Sequence, residues 1–171
     1  MPSTTSFESR ERAECLLRNA TASLRPGGHV LFTTVDDGAL RAGVGSGFVF
    51  TNGVFEITFP DRHAIHWERE YGLQYDFLLP GAVASVPEFV VRPDVLKGLA
   101  GEVGLECIVE ENFVPFIQRH LDDPKWGALK SGTFGALAKR LHTSDIAIAP
   151  EEWDICGLYK VYVFQAGDPG E

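Results

Sequence analysis

Apolar residues recur at helical spacing near the start of the chain. Ala13, Leu16, Leu17, Ala20 and Leu24 are separated by charged and polar positions, which predicts an amphipathic helix over Glu8–Leu24. Ser6 or Ser9 can cap its start, and Pro26-Gly27-Gly28 stops it. The period then changes. His29–Thr34 is a short apolar run, the pattern of a buried strand, and helix, Pro-Gly-Gly and strand in that order form a recurring element of α/β sheets.

A β-rich stretch follows. Phe48–Thr51 and Val54–Ile57 flank Asn52-Gly53, the strongest short hairpin signal. The preceding Gly43-Val44-Gly45-Ser46-Gly47 has no apolar strand before it and no helix after it, so it reads as a flexible connection rather than a cofactor loop. His66–Leu79 supplies a further strand, closed by Pro80-Gly81. Pro93–Val103 reads as a helix begun by proline and ended by Gly104. Leu105–Glu111 is a strand, Lys125–Leu141 a helical stretch weakened by its glycines, and Ile155–Gln165 a final strand with a frayed tail from Ala166.

Composition narrows the class. A chain of 171 residues, 44% hydrophobic, is large enough for one domain with a real core. It holds no run of eighteen apolar residues, and Met1–Arg12 lacks the apolar centre of a signal peptide. Cys15, Cys107 and Cys156 are odd in number and far apart, which argues against a disulfide framework or a zinc site. His63-x-x-His66 lacks further ligands at metal spacing, so no metal is expected. Asp122-Asp123 and Glu110-Glu111 read as solvated turns and ends. A net charge of −9 argues against tight binding of long RNA by this chain alone, because phosphate contacts need a basic footprint.

The candidate chemistry lies in Tyr75-Asp76-Phe77 and Val86-Pro87-Glu88-Phe89. These segments set a carboxylate, Glu88, among aromatic and apolar residues that read as strand, where an unpaired charge is costly. Guanine suits such a group. Its N1–H and N2–H₂ point in parallel, so one carboxylate accepts both in a forked pair, and aromatic rings can stack on the base. Most glutamates flanking strands simply face solvent, so the local pattern leaves both readings open.

Further segments keep company with these two. They are Ser6-Phe7-Glu8-Ser9, Leu16–Ala20 leading into Leu24-Arg25-Pro26-Gly27-Gly28, Thr33-Thr34, Phe113, and Gly157-Leu158-Tyr159 through Phe164. In this order and at this spacing the chain resembles the C-terminal half of the mRNA cap guanine-N7 methyltransferases. The resemblance implies an α/β fold, the C-terminal half of a class I (Rossmann-like) S-adenosylmethionine-dependent methyltransferase sheet with a β-hairpin-rich insertion. One partial domain over 1–171 would divide into a helix and sheet strand (6–42), a cap-pocket insertion (43–92) and C-terminal helices and strands (93–165). It also implies that Glu88 and Tyr159 contact the cap guanine and that Tyr75 and Phe77 shape its pocket. The substrate would be the 5′ cap guanine of mRNA, the cofactor S-adenosylmethionine, and the compartment the nucleus.

The chain departs from that family in three places. It has no D-x-G-x-G-like turn after a first strand and no acidic ribose ligand, so no cofactor-binding residue is expected in it. Thr4-Thr5 stands where the family has a cap-contacting His-Tyr pair, and Val35 where it has a proline. Without the cofactor half, the His29–Thr34 strand would carry an open edge that invites another chain. Three expectations follow: a cap-recognising fragment that needs a cofactor half, a non-catalytic subunit that stabilises a catalytic partner, or a degenerate paralogue.

Overall fold

The computed structural model describes residues 4–122 and 150–167. The expected Lys125–Leu141 helix and the tail beyond 167 lie outside these residues. A 3₁₀ turn over Thr4–Glu8 leads into α1 (Arg10–Thr21), so the helix begins later than the apolar period suggests. Ser9 is the reason. Its hydroxyl accepts the Arg12 amide and caps the first turn. The helix ends three residues early at Thr21, whose hydroxyl bonds back to the Leu17 and Arg18 carbonyls.

The strands form two sheets. β1 (His29–Val35), β6 (Leu105–Asn112) and β7 (Tyr159–Ala166) make a three-stranded sheet in the order β1-β7-β6, with β7 antiparallel to both neighbours. Ala166 is not frayed: it pairs with Leu105, and its amide bonds the Gly28 carbonyl. The second sheet, β2 (Val49–Thr51), β3 (Glu56–Thr58), β4 (Gln74–Leu79) and β5 (Val83–Phe89), is antiparallel throughout and runs in chain order. The Asn52-Gly53 hairpin forms, but Thr51 pairs with Glu56, so the loop has four residues instead of two. Asn52 sets that length, because its side-chain oxygen accepts the amides of both Val54 and Phe55.

Three helices accompany the sheets where no helix was expected. α2 (Asp37–Val44) is capped by Asp36, which accepts the Gly38 amide, and it crosses the 42/43 division. The glycine run is therefore not a flexible connection. A Cβ on Gly43 would lie 2.2 Å from the Phe50 ring, so this residue lets the helix press against the hairpin, and Gly45, at φ 55°, ends it. The Pro93 helix forms as expected, as α3 (Pro93–Glu102). α4 (Phe113–Asp122) follows β6 directly. α5 (Pro150–Gly157) takes the first residues of the expected Ile155–Gln165 strand, which starts only at Tyr159. That stretch carries β-branched and aromatic residues, but Asn52 of the hairpin reaches across to the Glu151 carbonyl and the Asp154 carboxylate and holds it as helix.

Each sheet has its own core. Phe7, Leu17, Phe32, Leu96, Leu99, Tyr162 and Phe164 pack the three-stranded sheet against α1 and α3. Leu40, Phe55, Ile57, Phe59, Tyr75, Phe77, Val90 and Leu158 pack the four-stranded sheet against α2 and the start of β7. β1 ends its sheet among the described residues, and Leu31 on it is 65% exposed. No helix among the described residues is long and apolar enough to cross a membrane.

Candidate functional site

β4 alternates strictly at its start: Tyr75 and Phe77 are buried, while Asp76 between them is exposed. The register sets Glu88 directly opposite Tyr75 and Val86 opposite Phe77. Opposed residues share a face of the sheet, so Glu88 stands on the inward side with the two aromatic rings. Asp76 is opposite Pro87 on the other face and takes no part. The inward face opens toward solvent along β5, where Glu88 is half-buried and Val86 exposed.

Tyr75 is 1% exposed, and its hydroxyl donates to Glu88 Oε2 at 2.8 Å. Burial, followed by the Glu88 charge and this bond, pushes the Tyr75 phenol well above its ordinary value. Tyr75 therefore remains a neutral donor. A hydrogen bond to a charged acceptor contributes about 1.5–3 kcal/mol. One such bond leaves most of the carboxylate's lone-pair sites on Glu88 open to other donors.

Tyr159 comes from the other sheet. It opens β7, and its ring lies tilted against Phe113 with centroids 5.9 Å apart. Tyr159 also packs against the core that holds Tyr75 and Phe77; burial raises its phenol pKa, and the Glu88 charge raises it further. The structure thus brings Tyr75, Glu88 and Tyr159 together. Phe77 joins them through the shared core.

Residues that the sequence did not single out complete the surroundings. Phe59 packs against Tyr75 at 5.8 Å and against Trp67 at 5.6 Å, and the Arg41 guanidinium lies 5.1 Å from the centre of the Trp67 ring. Phe59 follows the short β3 and offers no spacing signal. Glu110, exposed, and Glu111, half-buried, stand near the end of β6 and carry ion pairs: Glu110 with Lys97 and Lys160, and Glu111 with Arg119. A separate open cleft of about 460 Å³ lies beside Phe50, Phe55 and Trp153, and none of Tyr75, Phe77, Glu88 and Tyr159 lines it.

Among the described residues, no group of three or more His, Cys, Asp or Glu is placed to hold a metal ion. Methyltransferases in general take their methyl group from S-adenosylmethionine. Among the described residues, the glycine run does not fit that donor, since Gly43 is packed under Phe50 and Gly45 closes a helix.

The model of the mRNA (guanine-N(7))-methyltransferase domain matches residues 3–166. The mRNA cap guanine-N(7) methyltransferase 1 of Oryza sativa subsp. japonica is 32% identical over 165 residues, covering 94% of this chain and 44% of that protein. The mRNA cap guanine-N(7) methyltransferase of Meyerozyma guilliermondii is 33% identical over 131 residues, covering 71% of this chain and 22% of its own. The chain thus spans less than half the length of these relatives. A looser likeness, at TM-score 0.43 and 14% identity, joins 95% of this chain to 53% of the CcbJ methyltransferase from Streptomyces caelestis and carries no inference. With the family's model matching residues 3–166 of its 171, the chain belongs to the mRNA (guanine-N7) methyltransferase family.

Proposed function

We propose that this chain holds the 5′ cap guanine of mRNA, as the base-recognising part of a guanine-N7 methyltransferase. The observation that carries the reading is the Tyr75–Glu88–Tyr159 group, a half-buried carboxylate oriented by a buried phenol beside a second tyrosine. The carboxylate accepts N1–H and N2–H₂ of the base, Tyr159 meets the same base, and Tyr75 and Phe77 form the pocket floor. N7 keeps its lone pair free and loses no proton, so methyl transfer needs no general base. Holding N7 in line at near-attack distance is catalysis by positioning.

The β1-β7-β6 order, with the middle strand reversed, supports a further assignment: the C-terminal half of a class I methyltransferase sheet, with 43–92 as its cap-pocket insertion. S-adenosylmethionine is then held by residues other than those described, in the same polypeptide or in a second one. The open β1 edge and exposed Leu31 favour a protein segment that adds a strand there. The same features suit a non-catalytic subunit that stabilises an active enzyme. Cap methylation of new transcripts assigns the chain to the nucleus.

Calorimetric titration with the cap analogue GpppG tests the reading. Glu88→Gln weakens binding by about 1–3 kcal/mol, the penalty for an unmet polar group, and unchanged affinity overturns the assignment. On GpppA-capped RNA, the chain alone gives no methyl transfer and gains it with a cofactor-binding partner. Turnover by the chain alone would refute the separate cofactor site.

A further inference from the structure

Tyr159 belongs to one sheet and Glu88 to the other, so something must fix their relative position. The Asp36 amide donates to the Leu158 carbonyl at 2.7 Å, extending the β1–β7 ladder past its last pair, Val35 and Tyr159. Beside it stands Asn112, the last residue of β6. Its side-chain Nδ2 donates to the Gly157 carbonyl at 2.7 Å and to Asp36 Oδ2 at 3.2 Å, while its Oδ1 accepts the Val114 amide at 3.1 Å. Two acceptors on one side and an N–H on the other admit only this amide orientation.

The partners of Asn112 are themselves held. Asp36 Oδ1 accepts the Gly38 amide and pairs with Lys160 at 3.3 Å, and the two side chains are only 12% and 16% exposed. Lys160 also reaches Glu110 at 3.4 Å. One amide therefore ties the end of β1, the turn into β7 and the first turn of α4. The residue between Asn112 and Val114 is Phe113, whose ring packs on Tyr159. Both the backbone entry to Tyr159 and the ring against it hang on the same side chain.

We propose that Asn112 is a positioning residue of the cap pocket, clasping Gly157 and Asp36 so that Tyr159 stands where it meets a base held by Glu88. The inference rests on the cap-guanine reading for its functional consequence, whereas the clasp itself does not depend on it. Asn112 touches no substrate.

The test uses the full chain and two variants. Asn112→Ala removes all three bonds. Asn112→Asp keeps an acceptor for the Val114 amide but loses both donations and sets a second carboxylate against Asp36. The readout is affinity for GpppG and for its inosine counterpart, which lacks the N2 amine. A fall in folded fraction scales both affinities equally and leaves their ratio unchanged, whereas a base no longer held by Tyr159 shifts off the Glu88 carboxylate that reads its N2 amine, which alters the ratio. We expect both variants to lose about tenfold in GpppG affinity and to narrow the preference for guanine over inosine by about threefold or more. An Asn112→Asp chain with wild-type affinity and preference overturns the proposal, as does a loss that leaves the ratio intact. If the wild-type chain shows no guanine preference, the cap reading fails, and cross-relaxation between the Phe113 and Tyr159 rings decides the clasp. Loss of that signal in Asn112→Asp supports the clasp, and its retention refutes it.

Discussion

The two sheets bury one large tyrosine each, and the two tyrosines are treated differently. Tyr162, behind the three-stranded sheet, stacks on Phe164 and is 1% exposed, yet its hydroxyl bonds no other described residue. Tyr75, behind the four-stranded sheet, is equally buried but donates to a carboxylate that reaches solvent. The first is a ring used as packing. The second links a core to a surface charge and fixes where that charge points. On the proposed reading, the sheet packed on α1 and α3 is the scaffold and the hairpin sheet carries the cap-binding groups, with Tyr159 brought to them by β7.

The largest effect that should separate the two regions is truncation in the scaffold core. Phe164→Ala removes a fully buried ring and is expected to cost about 3–5 kcal/mol in denaturant unfolding. A loss below 1 kcal/mol would mean that this core does not govern folding. Next comes Tyr75→Phe, which strips Glu88 of its buried donor and should cost about 1.5–3 kcal/mol while also weakening GpppG binding. Stability kept together with full affinity would show that Tyr75 is packing, like Tyr162.

Alkaline pH reads the same contrast. Burial raises Tyr75, Tyr159 and Tyr162 above the ordinary tyrosine value of about 10, so the folded state binds these protons more tightly than the unfolded one. Their contribution is complete below that value and is lost as pH rises through the folded values. The melting temperature should therefore drop above about pH 10, and less steeply in Tyr75→Phe. A flat profile there would contradict the burial of all three phenols. The smallest expected effect is Tyr162→Phe. Removing a buried hydroxyl that bonds no other described residue should stay within about 0.5 kcal/mol of the wild type. A large loss would reveal a partner for that hydroxyl and erase the contrast.

Much of this was legible before any coordinates. The α1, β1, α3 and β6 patterns state their own period, and Tyr75, Phe77, Glu88 and Tyr159 were selected by residue type and by family resemblance. The misses share a cause. α2 and α5 have only eight residues each, and their helices depend on Asp36 as a cap and on the reach of Asn52 across the fold. The glycine run misled because Gly43 answers to the Phe50 ring, seven positions away in sequence and in another element. Asn112 gave no signal at all, since an asparagine at a strand end is ordinary until its three partners are seen together.

Local pattern decided which segments become helix or strand wherever a segment is long enough to bury one face by itself. It also decided which residue types a guanine pocket would need. Register and juxtaposition belong to the tertiary structure. That Glu88 rather than Asp76 faces inward follows from a cross-strand pairing, and that Tyr159, from the other sheet, packs against the core holding Tyr75 and Phe77 follows from how the two sheets pack. The reason is physical: a carboxylate's meaning depends on what desolvates and bonds it, and those partners are distant in sequence.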